Sequence, residues 1–157
     1  MTEDNPFERV VEPWEAVMED MAATATGYRE AGYSVLELHP GDVAVENDER
    51  YGLDVLVPGE EYDELERVTA AATFDSYEVY HAREAGMTFL LLVLTDPEAE
   101  QAVCCPAYYD DRDVEALERR SHAEGAMHTH VRPLDDETWV TFTHDEPDLF
   151  FPDTPDE

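Results

Sequence analysis

Residues 77–105 read YEVYHAREAGMTFLLLVLTDPEAEQAVCC, and this stretch decides the fold class. Three runs, 77–82, 87–94 and 101–105, are rich in aromatic, β-branched and other apolar residues. They are separated at Ala85-Gly86 and at Asp96-Pro97, where turn residues stop the pattern. Three consecutive strands are expected. The central one holds the longest apolar run of the chain, 89–94, which suits a strand and falls far short of the ~20 residues that span a bilayer. Pro106 is expected to close the third strand. Asp110 or Asp111 then caps a helix that ends near Gly125.

Upstream, residues 53–57 form another apolar run, stopped by Pro58-Gly59. A helix over 60–73 follows. Acids at 60, 61, 63 and 64 suit the positive end of its dipole, and Tyr62, Leu65, Val68 and Ala72 make its core face. Before that, residues 33–38 predict a strand, and His39-Pro40-Gly41-Asp42 a type II turn that returns the chain through 43–45. The chain opens with a helix capped by Asn5, with Pro6 at the first helical position and Glu8 three residues after the cap. Phe7, Val11, Trp14, Met18, Met21, Ala25 and Tyr28 lay one apolar stripe along it, and Gly32 ends it. Pro13 is expected to kink this helix or to begin a new one. The stripe fits packing on the domain's own sheet better than a coiled-coil seam, because it lasts only about three heptads.

Downstream, residues 127–132 and 138–144 form a hairpin turning at Asp135-Asp136. Pairing Leu134 with Glu137 sets Val131 opposite Val140 and Thr129 opposite Phe142 on the core face, with Met127. His128, His130 and Arg132 then share the other face with Trp139, Thr141 and Thr143. The whole predicts a single α+β domain over residues 5–145, a mainly antiparallel sheet of seven or eight strands with three packed helices. Residues 146–157 are an acidic, proline-rich tail. The segments 57–63 and 105–110 both run from strand to proline, tyrosine and aspartate. Each leads to a helix carrying Leu-Glu-Arg, which hints at a duplicated βββα unit; helix-start chemistry accounts for the match equally well.

The chain of 157 residues carries 40 acidic and 9 basic side chains, a net charge of -31, and all nine bases are arginine. The acids are spread through every segment, so they read as a surface adapted to salt and not as a tail or a nucleic-acid mimic. At molar salt the Debye length is ~3 Å and self-repulsion of such a surface nearly vanishes. The absence of lysine and isoleucine also fits a GC-rich coding sequence. Only Arg119-Arg120 are adjacent and no basic stripe exists, which argues against nucleic-acid binding. The acidic N-terminus lacks a signal segment. A cytoplasmic protein of a halophile is expected, without membrane attachment, as a monomer or homodimer.

The runs Gly32-Tyr33, Leu38-His39-Pro40-Gly41-Asp42 and Tyr51-Gly52-Leu53-Asp54-Val55-Leu56-Val57-Pro58 carry a family resemblance. So do Phe74-Asp75-Ser76-Tyr77-Glu78-Val79-Tyr80, Pro106-Ala107-Tyr108-Tyr109-Asp110, His130-Val131-Arg132-Pro133-Leu134 and Thr141-Phe142-Thr143. Over residues 14–151 the chain resembles a haloarchaeal family of unknown function of about this length. The resemblance implies the salt-adapted setting and no activity or cofactor.

Four features invite a chemical reading. His128-x-His130 puts two imidazoles on one strand face, where zinc or nickel could bind with a third ligand. The cross-strand neighbours on that face are threonines, and His39, His81, His122 and His144 have no assigned place, so a solvated or covered face with two incidental histidines is the plainer reading. Cys104-Cys105 point to opposite faces of a strand and read as buried small hydrophobes, without Cys-x-x-Cys spacing. His39 and Asp42 at one turn are a nominal acid–base pair, but turn chemistry already explains Asp42. Leu149-Phe150-Phe151 either dock a partner protein or fold back over an edge of the domain's sheet. No nucleophile elbow, phosphate loop, zinc-protease helix or dinucleotide fingerprint occurs. The residues point to a non-catalytic protein- or ligand-binding or regulatory module with no cofactor; the alternative is a metal-dependent enzyme using His128 and His130.

Overall fold

The computed structural model describes residues 6–135 and 137–151, and for residues 6–12 the backbone alone. Asn5, Asp136 and residues 152–157 lie outside the described residues, as do the side chains of Phe7 and Val11. In chain order the elements are α1 (Pro6–Glu30), β1 (Ser34–Glu37), β2 (Asp42–Glu46), β3 (Gly52–Leu56), α2 (Gly59–Ala71), β4 (Ser76–Glu84), β5 (Met87–Asp96), β6 (Gln101–Asp110), α3 (Glu115–Glu124), β7 (Met127–Arg132) and β8 (Val140–His144). The fold is α+β, with three α-helices and eight strands among the described residues. No helix among the described residues is long and apolar enough to cross a membrane.

The strands divide into two sheets of four, ordered β1-β6-β5-β4 and β2-β3-β7-β8. Each is mixed: β1 runs parallel to β6, and β3 parallel to β7, while the other pairs are antiparallel. This differs from one continuous sheet. Residues 39–41 do not form the expected type II turn, since Gly41 lacks a positive φ. Nor do they return β1 onto β2 as a hairpin; they carry the chain from the first sheet to the second. The corner is fixed by tertiary contacts: Gly41 N–H donates to the Leu56 carbonyl (2.9 Å), and His39 N–H to the Glu61 carboxylate (2.7 Å). The suggested duplication has no structural counterpart, because β1 is split from β2 and β3, whereas β4, β5 and β6 form one meander in one sheet.

Strand β5 explains the continuous apolar run, since it is covered on both faces. Met87, Phe89, Leu91 and Val93 point toward α1 and meet Val17 and Met21, with Trp14 edge-on to Tyr108 (centroids 5.3 Å). Leu90, Leu92 and Leu94 point the other way, into the main core. There they meet Leu53, Val55, Met127, Val131 and Phe142 of the second sheet, Tyr62, Leu65 and Val68 of α2, and Leu117 of α3. Helix α1 runs through Pro13 without a break. Pro13 forgoes one backbone hydrogen bond, and the residues beyond it are held by packing on the first sheet.

Pro106 does not end β6 either; it pairs with Leu91 in mid-strand. Strand β1 stops at its pairing with Cys104, so at position 106 β6 has a neighbour on one side only, a position where a missing N–H is tolerated. Asp110 caps a short 3-10 turn, Asp111–Asp113, by accepting from Arg112 N–H, and α3 begins after it and ends at Gly125 in the left-handed conformation. The last hairpin has the expected register, Val131 opposite Val140 and Thr129 opposite Phe142. Its core face and its outward face are those read from the sequence.

Candidate functional site

The outward face of the second sheet carries the chemistry. Period two in β7 turns His128 and His130 outward, and β8 sets Thr143 and Thr141 beside them. The chain leading into β3 adds Glu49, Arg50 and Tyr51, and Trp139 arrives from the segment leading into β8. These eight residues line an open groove of about 300 Å³.

Each imidazole is held by the threonine across the ladder: His128 Nδ1 lies 3.1 Å from Thr143 Oγ1, and His130 Nδ1 2.8 Å from Thr141 Oγ1. His130 Nε2 is 2.9 Å from the carbonyl of Tyr51. A carbonyl only accepts, so His130 Nε2 donates to it. Both nitrogens of His130 are thus used, tying β7 to the chain entering β3. Burial pushes the pKa of His130 and His128 below the ordinary histidine value. The two rings stack at 5.9 Å, and Tyr51 meets His128 edge-on at 4.7 Å. His128 Nε2 is the one nitrogen of the pair without a hydrogen-bond partner among the described residues. The described residues contain no cluster of three or more metal-ligating side chains. A metal on both histidines would have to displace Tyr51 or Thr141 from His130.

Three of the nine arginines gather around this face. Arg132 Nε donates to both oxygens of Asp54 at 3.2 Å, and this carboxylate is buried. Arg120 donates to the Asp48 carbonyl (2.6 Å) and lies over the Tyr51 ring at 4.4 Å. Arg50 lies over the Trp139 ring at 4.1 Å, its Nη2 is 3.6 Å from Asp54, and its Nε is buried with no hydrogen-bond partner. Trp139 remains 41% exposed. The sequence pattern placed Trp139, Thr141 and Thr143 on this face but pointed to none of Arg50, Tyr51 and Arg120. Their loop and helix positions carry no periodic signal; an arginine scarce in so acidic a chain was the only hint.

The other candidates lie elsewhere. Cys104 faces α1 and Cys105 the main core, as the strand period requires; both are free thiols that burial pushes up, to about 11 and about 12. His39 Nδ1 pairs with Glu61 at 2.7 Å, a residue of the first turn of α2. Phe150 and Phe151 are buried in the main core at the end of a second 3-10 turn, Pro147–Phe150, and Leu149 packs half-buried against it. The Phe150 carbonyl accepts from Tyr109 (2.7 Å), the Leu149 carbonyl lies 2.9 Å from His81 Nε2, and Asp148 lies 2.6 Å from His122 Nε2. The segment folds back across both sheets and α3. It also covers His144, whose ring lies 4.7 Å from Phe150 and 4.8 Å from Tyr77.

The chain belongs to a family of unknown function (DUF7529), whose model matches residues 3–152. No curated protein and no solved structure matches it.

Proposed function

We propose that this protein is a non-catalytic ligand-binding module, that its ligand sits on the outward face of the second sheet, and that it works in the cytoplasm of a salt-accumulating archaeon. The groove of Arg50, Tyr51, His128 and Trp139 carries this reading. It concentrates exposed aromatic surface and an incompletely paired cation on a rigid ladder, while the histidine best placed for chemistry, His130, is consumed in holding the backbone. Native mass spectrometry in a volatile salt, after incubation with the small-molecule fraction of a halophile extract, tests it. A retained small molecule that Trp139→Ala releases is expected. Retention of nothing, or retention indifferent to Trp139, overturns the reading. Elemental analysis of the same sample tests the alternative, a metal-dependent enzyme at His128 and His130: stoichiometric zinc or nickel would establish that metal site instead.

The charge of -31 supports the salt-rich setting. Lowering KCl from molar to ~0.1 M lengthens the Debye length from ~3 Å to ~10 Å and restores repulsion among carboxylates. The melting temperature at neutral pH is expected to fall by about ten degrees or more (on the order of a 3 kcal/mol loss for a domain of this size). A melting temperature independent of salt would remove the halophilic part of the proposal.

A further inference from the structure

The chemistry lining the groove narrows the class of ligand, an inference that rests on the binding role just proposed for this face. Its open surfaces are flat: the half-exposed Trp139 indole and the half-buried His128 imidazole, backed by the buried rings of Tyr51 and His130. Flat π surfaces favour a planar ring over a saturated one, through offset or edge contacts. The imidazoles add little positive charge at neutral pH, because burial holds both below the ordinary histidine pKa.

Charge enters through Arg50. Asp54, the nearest carboxylate, is held by Arg132 through both oxygens at 3.2 Å, which leaves Arg50 a longer contact of 3.6 Å. The guanidinium is instead positioned by the Trp139 face, with Nε unpaired. A planar fork with spare donors, stacked on an aromatic ring, is suited to a carboxylate. Glu49 also lines the groove, and the chain is strongly anionic, so a single negative charge is tolerated better than two. The volume of about 300 Å³ lies at the lower end of ligand pockets and fits one or two fused rings.

We propose that the groove binds a small planar aromatic monocarboxylate, its carboxylate on the Arg50 guanidinium and its ring against Trp139 and His128. In molar salt the Coulomb attraction is screened beyond ~3 Å, so recognition depends on this direct contact and on stacking.

The test is a fluorescence titration of the full chain carrying Trp14→Phe, which leaves Trp139 as the reporter. In molar KCl, benzoate is expected to quench Trp139 saturably. Benzamide, benzylamine, cyclohexanecarboxylate and inorganic phosphate are each expected to bind at least tenfold more weakly, and Arg50→Gln to weaken benzoate at least tenfold. Using neutral and saturated analogues on the same protein keeps the test independent of whether the Arg50 variant folds. Benzamide or benzylamine binding as well as benzoate would overturn the carboxylate, and cyclohexanecarboxylate or phosphate doing so would overturn the ring; in each case the binding face itself stands. If none of the five probes perturbs Trp139, this ligand class falls; the binding face then falls only if the extract experiment also retains nothing.

Discussion

Acidification from neutral pH to about 4.5 is expected to cost the domain on the order of 3 kcal/mol through His144 alone. The ring is 1% exposed, its Nε2 is 3.0 Å from Thr129 Oγ1, and its Nδ1 has no partner among the described residues. Burial, helped by the charges His128 and His130 would carry, lowers its pKa from 6.5 to about 3. The folded value lies below the unfolded one, so the unfolded chain takes up the proton first. The stabilisation is therefore complete above pH 6.5 and is lost as pH falls toward about 3, by ~1.4 kcal/mol per unit. The groups packed around the ring are Tyr77 of β4, Thr129 of β7 and Phe150, with Asp145 at the Tyr77 hydroxyl. None offers a carboxylate directly to Nδ1. Denaturant unfolding in molar KCl at the two pH values should show this loss in the wild type and not in His144→Phe. Carboxylates and the other histidines titrate in both proteins and cancel in the comparison. An equal pH dependence in the two would refute the assignment. Because Phe150 packs on this ring, hydrogen exchange of residues 147–151 should rise first on acidification.

Gly52→Ala is expected to destabilise the protein by about 3 kcal/mol or more. Gly52 has φ +136°, a conformation open to glycine, and a Cβ there would lie 2.2 Å from the carbonyl oxygen of His128 and 2.9 Å from its carbonyl carbon. Both are backbone atoms of β7, which pairs with β3 from Leu53 and Thr129 onward, so relief requires the two strands to separate. The same shift would lengthen the bond from His130 to the Tyr51 carbonyl and open the groove. Gly27→Ala is the control: it lies inside α1 with nothing within 4 Å of the added carbon, and should stabilise by up to ~1 kcal/mol. A Gly52 variant as stable as the control would mean that the approach of β3 to β7 is not tight.

The register and faces of the β7–β8 hairpin were legible in the sequence, although β8 begins at Val140 and not at Thr138. Register and faces follow from the period-two alternation and from one turn, and both are local properties. The α2 core face of Tyr62, Leu65 and Val68 was equally plain, but Ala72, read as part of it, is extended because the helix ends at Ala71. Pro106 and Pro13 misled for one reason. A proline's local cost is real, but whether it ends an element depends on what lies beside it, and β6 has no second neighbour where Pro106 stands. Residues 39–41 misled because their conformation is set by bonds to Leu56 and Glu61, far along the chain, and not by local proline–glycine turn chemistry.

For the site, the outward histidines were visible because a strand face is a periodic object. Arg132 was visible with them for the same reason; Arg50 and Arg120 were not, nor was any arginine's partner. His130 reaches Tyr51 across 79 residues of chain, Arg132 reaches Asp54 across 78, and Arg120 reaches Asp48 across 72. By itself the sequence determined the elements, their buried faces, the hairpin register and the surface charge, since each depends on neighbours within a few residues. The tertiary structure alone decided how eight strands divide into two sheets and where the parallel pairs fall. It also decided that Arg50 should rest on Trp139 beside a histidine already spent on the backbone. Those choices are made by burial and pairing between distant segments, whose free energies no local pattern encodes.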